Sequence, residues 1–430
     1  MSILNPVYMR WTSKMDPKIR ETYLKFVFIS FEIYFILFFS EAFRHILETR
    51  SQREILGAIL FSLATVFSIN GPLQTVKWKK RIYVPMLLGS IGLLVTGVMH
   101  PIGSGYMCFG VSLLLIYPGF YFVWNNRKDY ETLFDIVAKA NAEIGTVFFI
   151  YSIVFYWKQI FQEGRGRFQG SISDPNLFSL VGMAMVCSSM YLIYRRRASN
   201  KLPLFYAASG AMGFVIIVFG QSRSALLVGL GAVVVTLIFT FKNSKKLERS
   251  STKAMIILIA VLLCGNASLM AVCAESGQSA TENPSESFID RFSLEGQDLN
   301  SFTSGRVDIW INYAAKLNMT GNDFDETDWE EMTGDTVKHA HNNFLEYGYR
   351  CGIPVAAVFI LLELFAGLLT LKYLFSRKWS RDCYLYAVLC LLMYAIMSLI
   401  DIATIPMERY APYVFYLSLT LLIDADENTY

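Results

Sequence analysis

The sequence predicts an all-α, polytopic membrane helix bundle of about 12 transmembrane helices with one large extramembrane loop. Three observations lead there. Of 430 residues, 54% are apolar, 15% are aromatic and only 17% are charged, whereas a soluble domain carries about 25% charged residues. Apolar runs of spanning length recur along the whole chain. Lys and Arg alternate between successive loops, as they do across a membrane. This composition excludes a disordered chain, a collagen and a soluble coiled coil.

A helix needs about 20 apolar residues to cross about 30 Å of hydrocarbon. The qualifying runs are 23–43, 55–70, 83–99, 104–124, 138–157, 176–194, 203–221, 225–241, 254–273, 353–375, 383–400 and 411–423. Helices are expected because each satisfies its own backbone in lipid, and the alternation of a membrane barrel is absent. Arg10, Lys14, Lys18 and Arg20 precede the first run. That run lacks a small-residue cleavage site and reads as an anchor.

One set of loops carries Lys77, Lys79, Lys80 and Arg81, then Arg127 and Lys128, then Arg195, Arg196, Arg197 and Lys201. It continues with Lys242, Lys245, Lys246 and Arg249, and ends with Arg377, Lys378 and Arg381. The intervening loops are less basic, with Arg44, Arg50 and Arg53 as the exception. The basic set is therefore expected in the cytoplasm, together with both termini. Three parts follow: helices one to nine over 1–273, an external loop over 274–352, and helices ten to twelve over 353–430. The loop is strongly acidic. Between 274 and 338 it holds 14 acidic and 4 basic residues. Short helices are expected to cap the bundle there. The clearest is 304–317, with Ser304 as cap and Val307, Trp310, Ile311 and Ala314 on one face.

Several kinds of chemistry lack support. No phosphate-binding glycine loop or dinucleotide fingerprint occurs, so neither ATP nor NAD is expected. The seven Cys form no C-x-x-C pair. His339, His341 and Glu346 lack the i, i+4 register of helical zinc motifs, so no metal and no cofactor is expected. No long basic tract suggests nucleic acid.

What remains is a set of polar residues on the outer side. Two of the four His lie in His339-Ala340-His341-Asn342-Asn343, closely followed by Glu346. An imidazole at the membrane surface can take a proton from a hydroxyl near neutral pH. Alternatively, these residues simply cap a helix. Gln221-Ser222-Arg223-Ser224 joins two runs with almost no loop between them. A guanidinium so close to hydrocarbon either snorkels to headgroups or grips a phosphate. Arg306 stands in the acidic loop, where it either pairs with a carboxylate or clamps a second phosphate. Arg167 precedes Asp174-Pro175-Asn176 in another outer loop, and Arg409 lies in the last one. Several external arginines beside a histidine favour a phosphate-bearing lipid over a neutral ligand. A multispan transporter or flippase is the competing class. It would show an internal repeat, broken spans and mid-membrane charges, and few of these occur here.

Ser222-Arg223-Ser224-Ala225-Leu226-Leu227, Gly305-Arg306 and His341-Asn342 resemble the O-antigen ligase and polymerase superfamily of bacterial inner-membrane glycosyltransferases. Ligases carry H-[NSQ]-x9-G-x-x-[GTY]. His341, Asn342 and Gly352 fit it, and Val355 departs at the last position. The resemblance extends to the architecture and to the stretch from Ser398 to Asp401 followed by Arg409. It implies transfer of a polysaccharide from undecaprenyl diphosphate, independent of metal and ATP, on the periplasmic side of the inner membrane. In a ligase the acceptor is lipid A–core. In a polymerase it is another lipid-linked glycan. Ligase is the preferred reading, with catalytic roles for His341, Arg223 and Arg306. Arg409, Arg167, Asn342, His339 and Glu346 are the expected substrate-binding residues.

Overall fold

The computed structural model describes residues 16–38, 40, 45–47, 50–68, 80–100, 130–161, 167–172, 174–196, 203–243, 300, 303, 305–322, 340–375, 382–400, 414–419 and 421–422. Every regular element among them is a helix. In chain order these are α1 (Pro17–Leu37), α2 (Arg50–Ser68), α3 (Lys80–Met99), α4 (Tyr130–Tyr156), α5 (Pro175–Arg195) and α6 (Leu204–Phe219). They continue with α7 (Arg223–Asn243), α8 (Arg306–Ala315), α9 (Asn343–Cys351), α10 (Ile353–Phe375) and α11 (Cys383–Ile400). Residues 414–419 are also helical.

The expected spans at 104–124 and 254–273 lie outside the described residues. So does most of the acidic loop. Four helices, α5, α7, α10 and α11, are long and apolar enough to cross a membrane, and shorter apolar helices lie at Ile55–Ala64, Leu87–Met99 and Leu204–Phe219. Many large apolar side chains face outward, among them Phe155, Leu361 and Leu368. In water that surface would be unfavourable, and in lipid it is ordinary. The all-α membrane bundle is thus observed, and the chain is an integral membrane protein.

Helix α5 is the central pillar, buried along almost its whole length from Leu177 to Tyr194. Small residues let α6 approach it closely. A Cβ at Gly182 would lie 2.5 Å from the Gly213 carbonyl oxygen, and one at Gly213 would lie 2.8 Å from that of Gly182. Backbone faces backbone there, so nothing can yield. Gly182→Val is expected to prevent stable accumulation in the membrane, whereas Ala at the exposed Leu361 is tolerated. Fluorescence-detected size exclusion of the detergent extracts measures both. Polar side chains add cross-links: Asn141 donates to Ser188 Oγ at 3.1 Å, and Ser188 meets the Tyr386 hydroxyl at 3.1 Å. They join α4, α5 and α11 inside the apolar core.

The bundle has two chemically distinct ends. At one, Arg195 pairs with Glu131 at 2.6 Å, Asp382 at 3.1 Å and Asp135 at 3.7 Å. It thereby gathers the start of α4, the end of α5 and the start of α11. Lys242 donates to the Leu374 carbonyl at 2.8 Å, which places the ends of α7 and α10 beside each other. At the opposite end, Thr96 Oγ1 contacts the Cys351 carbonyl at 3.4 Å and His100 Nε2 meets the Thr320 carbonyl at 3.3 Å. The helix ends marked by Arg195 and Lys242 thus share one end of the bundle, and those marked by Thr96, His100 and Cys351 share the other.

At that second end the floor is not level with the walls. Ser398, two residues before the end of α11, bonds Glu363, ten residues into α10. At 1.5 Å per residue, ten residues of α10 above Glu363 less two of α11 above Ser398 put the start of α10 about 12 Å above Ile400. Helix α9 runs antiparallel beside this overhang, with Tyr347 stacked on Phe359 at 4.3 Å. Helix α8 stands next to α9, with Tyr313 against Tyr349 at 5.0 Å. Both point their N-termini down toward the end of α11.

The α8 helix also corrects the expected cap and face. Gly305, at φ 77°, occupies the cap position and makes no side-chain cap bond. Ile309 and Tyr313 are the buried residues, and Ile311 is 61% exposed. The face is set by the edge-on contact of Tyr313 with Tyr349 and by the Trp310 indole donating to the Ala340 carbonyl at 3.0 Å. Both partners are distant in sequence, and local periodicity carries no information about them.

Candidate active site at the end of α11

The turn between α6 and α7 is fastened from outside. Arg167 spans two acceptors: its Nε donates to the Gly220 carbonyl at 2.8 Å, and its Nη2 donates to Asn176 Oδ1 at 2.6 Å. Phe168 N adds a bond to the Phe219 carbonyl at 3.0 Å. Asn176 is itself placed by the start of α5, where Asp174 accepts from the Asn176 backbone N–H at 2.6 Å and Pro175 sets the first turn. The next residues, Gln221 to Ser224, carry Arg223 into the first turn of α7. Ser222 and Ser224 are buried, their hydroxyls 3.1 Å apart.

Contacts between Gly231 and Leu392 set the height of Arg223. Gly231 lies eight residues after Arg223, and Leu392 lies eight residues before Ile400. On antiparallel helices that puts Arg223 level with the end of α11.

Arg306 and Asn342 meet on that same end. Arg306 Nη1 donates to the Ile400 carbonyl, and Asn342 Nδ2 donates to the Leu399 carbonyl at 3.1 Å. The last carbonyls of a helix have no partner within it. Here two side chains from two other helices supply the partners. Asn342 also caps α9, its Oδ1 accepting from Phe344 N at 3.0 Å and Leu345 N at 3.1 Å. His341 is the adjoining residue, so Arg306 and His341 are brought to one place.

Glu346 is buried and fully engaged. Its Oε2 accepts from Ala340 N at 3.0 Å, and its Oε1 pairs with Arg350 at 2.6 Å. It folds the His341 segment back against α9, as a positioning residue rather than a surface that greets a ligand. Burial and the Glu346 charge push the neighbouring Tyr313 phenol well above its ordinary pKa, so it stays neutral.

Backbone conformation singles out the same places. Among the described residues, the non-glycine residues with positive φ are Gln221, at 46°, and His341, at 48°. Left-handed backbone of this kind costs of order 1–3 kcal/mol and persists where surrounding structure enforces it. One of the two precedes Ser222-Arg223, and the other is the candidate base. Gly352, the glycine of the histidine motif, has φ 90° and packs against the Met319 carbonyl, which leaves no room for a side chain.

The residues expected in the site are thus distributed as follows. Arg306, His341 and Asn342 converge on the end of α11, and Arg223 lies at the same height on a helix packed against α11. Arg167 and Glu346 hold the two turns that present them. His339 and Arg409 lie outside the described residues. Asn176, which the sequence offered only as part of the Asp174-Pro175-Asn176 loop, joins the arrangement by accepting from Arg167.

Arg167 therefore acts through its fork. Arg167→Lys is expected to fare no better than Arg167→Ala, both lowering transfer about tenfold or more, because one ammonium cannot hold Gly220 and Asn176 together. Initial rates normalised to protein in membranes provide the measurement, and a lysine variant with full activity would point instead to a simple charge.

Residues 208–360 match the family model described as O-antigen ligase. No curated protein matches the chain. The matched segment runs from α6 into α10 and contains Arg223, Arg306, His341, Asn342, Glu346 and Gly352, while Arg167 and Arg409 fall outside it. Among the described residues of this segment, Arg223, Arg306 and His341 lie at one end of the helical bundle. Over residues 208–360 the chain is similar to the O-antigen ligase family.

Proposed function

We propose that the protein is an O-antigen ligase that moves a polysaccharide from undecaprenyl diphosphate to lipid A–core at the periplasmic face of the bacterial inner membrane. The observation that carries this reading is the pairing of Arg306 and Asn342 with the consecutive carbonyls of Ile400 and Leu399. It sets a guanidinium and the His341 imidazole at one end of the bundle, opposite the Arg195 and Lys242 end. The N-termini of α7, α8 and α9 also turn toward this level, and helix N-termini favour anions.

In the proposed reaction, Arg223 and Arg306 bind the donor diphosphate and stabilise the charge that grows on it as it leaves. His341 accepts the proton of the acceptor hydroxyl as its oxygen attacks the anomeric carbon. The bond from that carbon to the diphosphate oxygen breaks, undecaprenyl diphosphate departs, and the configuration at the carbon inverts. The donor already carries a good leaving group, so the reading invokes no nucleotide and no metal.

Purified protein, lipid-linked glycan and lipid A–core, without added nucleotide or metal, test the reaction directly. Formation of glycosylated lipid A–core supports a ligase. Val355, where ligases carry Gly, Thr or Tyr, favours the second reading, a polymerase acting on the same donor. A polymerase would extend the lipid-linked glycan and leave the core untouched. A deletion strain separates them too: loss of every capped lipopolysaccharide indicates a ligase, and survival of core plus one repeat indicates a polymerase.

A further inference from the structure

The proposed chemistry leaves one polar cluster unused. Glu363 lies in the middle of α10, in a segment apolar enough to span the membrane. A carboxyl there is costly and is seldom kept without a task. Ser398 donates to Glu363 Oε2 at 2.6 Å. The Tyr394 and Asn343 side chains lie close by and, like Ser398, are buried. Water therefore cannot replace the Ser398 bond when it is lost.

This bond joins α10 to α11 just beneath the candidate site. Ser398 belongs to the last turn of α11, whose Leu399 and Ile400 carbonyls hold Asn342 and Arg306. A carboxyl that fixes Ser398 thus fixes the carbonyls that anchor Arg306 and the His341 turn. We propose that Glu363 is a positioning residue for transfer: by gripping Ser398 from α10 it sets the end of α11, and through it the placement of Arg306 and His341. The inference rests on the catalytic reading of those two residues. Glu363 itself touches neither donor nor acceptor. Its alternative is a structural cross-link with no bearing on catalysis, or a group that exchanges protons with the site.

Full-length Glu363→Gln, Glu363→Leu and Ser398→Ala variants in nanodiscs, assayed with lipid-linked glycan and lipid A–core, decide this. Glutamine still accepts from Ser398, so it is expected to keep turnover within about threefold of the parent. Leucine and the Ser398 variant are expected to lose about tenfold or more in kcat with donor KM within about twofold, because misplacement costs the transition state more than binding. The double variant Glu363→Leu with Ser398→Ala is expected to be no worse than Glu363→Leu alone. Should the leucine variant fail to accumulate, Ser398→Ala carries the test, since it removes a single hydroxyl. Normal kcat in Ser398→Ala and Glu363→Leu overturns the proposal. So does a glutamine variant as inactive as the leucine one, which would mean that the acid itself is used. Full activity of His341→Ala in the same assay would instead overturn the catalytic reading and leave the cross-link as structure alone.

Discussion

His341→Ala is expected to lower kcat by about 10²–10⁴-fold, the span usual for loss of a general base, with little change in donor KM. His341 sits in left-handed backbone at φ 48°, so alanine alters both the ring and the ease of adopting that conformation. His341→Asn separates the two. Asparagine tolerates this conformation and keeps a polar side chain, but it cannot serve as a base at neutral pH. It is expected to be as slow as alanine. If asparagine restores transfer while alanine does not, His341 acts by shaping the turn. If both variants transfer glycan normally, the imidazole takes no part. Steady-state rates over a range of donor concentrations, at matched protein in nanodiscs, distinguish these outcomes.

Arg306→Ala is expected to lower kcat/KM by about 10²–10³-fold, because in the proposed reaction it removes stabilisation of the charge that grows on the diphosphate. The lysine variant is the more informative one. Arg306 spends one nitrogen on the Ile400 carbonyl, and a guanidinium presents five donors in a fixed plane to divide among acceptors. A lysine places one point charge and cannot serve both acceptors in the same geometry. Arg306→Lys is therefore expected to recover less than about a tenth of the lost rate. Near-complete rescue by lysine would show that a positive charge anywhere in this pocket suffices, and that the anchoring to α11 is incidental to transfer. Arg306→Ala with unchanged kcat/KM would remove Arg306 from the site altogether.

Much of the fold was legible because the solvent is hydrocarbon. Apolar length marked α5, α7, α10 and α11, and the basic loops marked one end, where Arg195 and Lys242 indeed cluster. Candidate residues were legible by chemical oddity: an arginine between two spans, a histidine pair at the edge of one. What stayed hidden were the jobs of those residues. The bonds from Arg306 to Ile400 and from Asn342 to Leu399 cross 94 and 57 positions of sequence. No local pattern encodes such separations. Arg167 and Glu346 carried the right charge and the right address, yet the structure engages them in holding turns, through Gly220 and Asn176 in one case and through Ala340 and Arg350 in the other. A charged side chain near a site looks the same in sequence whether it meets a ligand or a backbone. Glu363 was visible as an acid within a span, but its partner Ser398 emerges only when α10 and α11 are packed.

The step of about 12 Å between the start of α10 and Ile400 has a consequence for the proposed reaction. A recess of that depth would hold the donor's diphosphate beside Arg306 while the sugars it carries extend above the wall of α10. Under the proposed function, the site would then grip the same few atoms of a short glycan and of a long one.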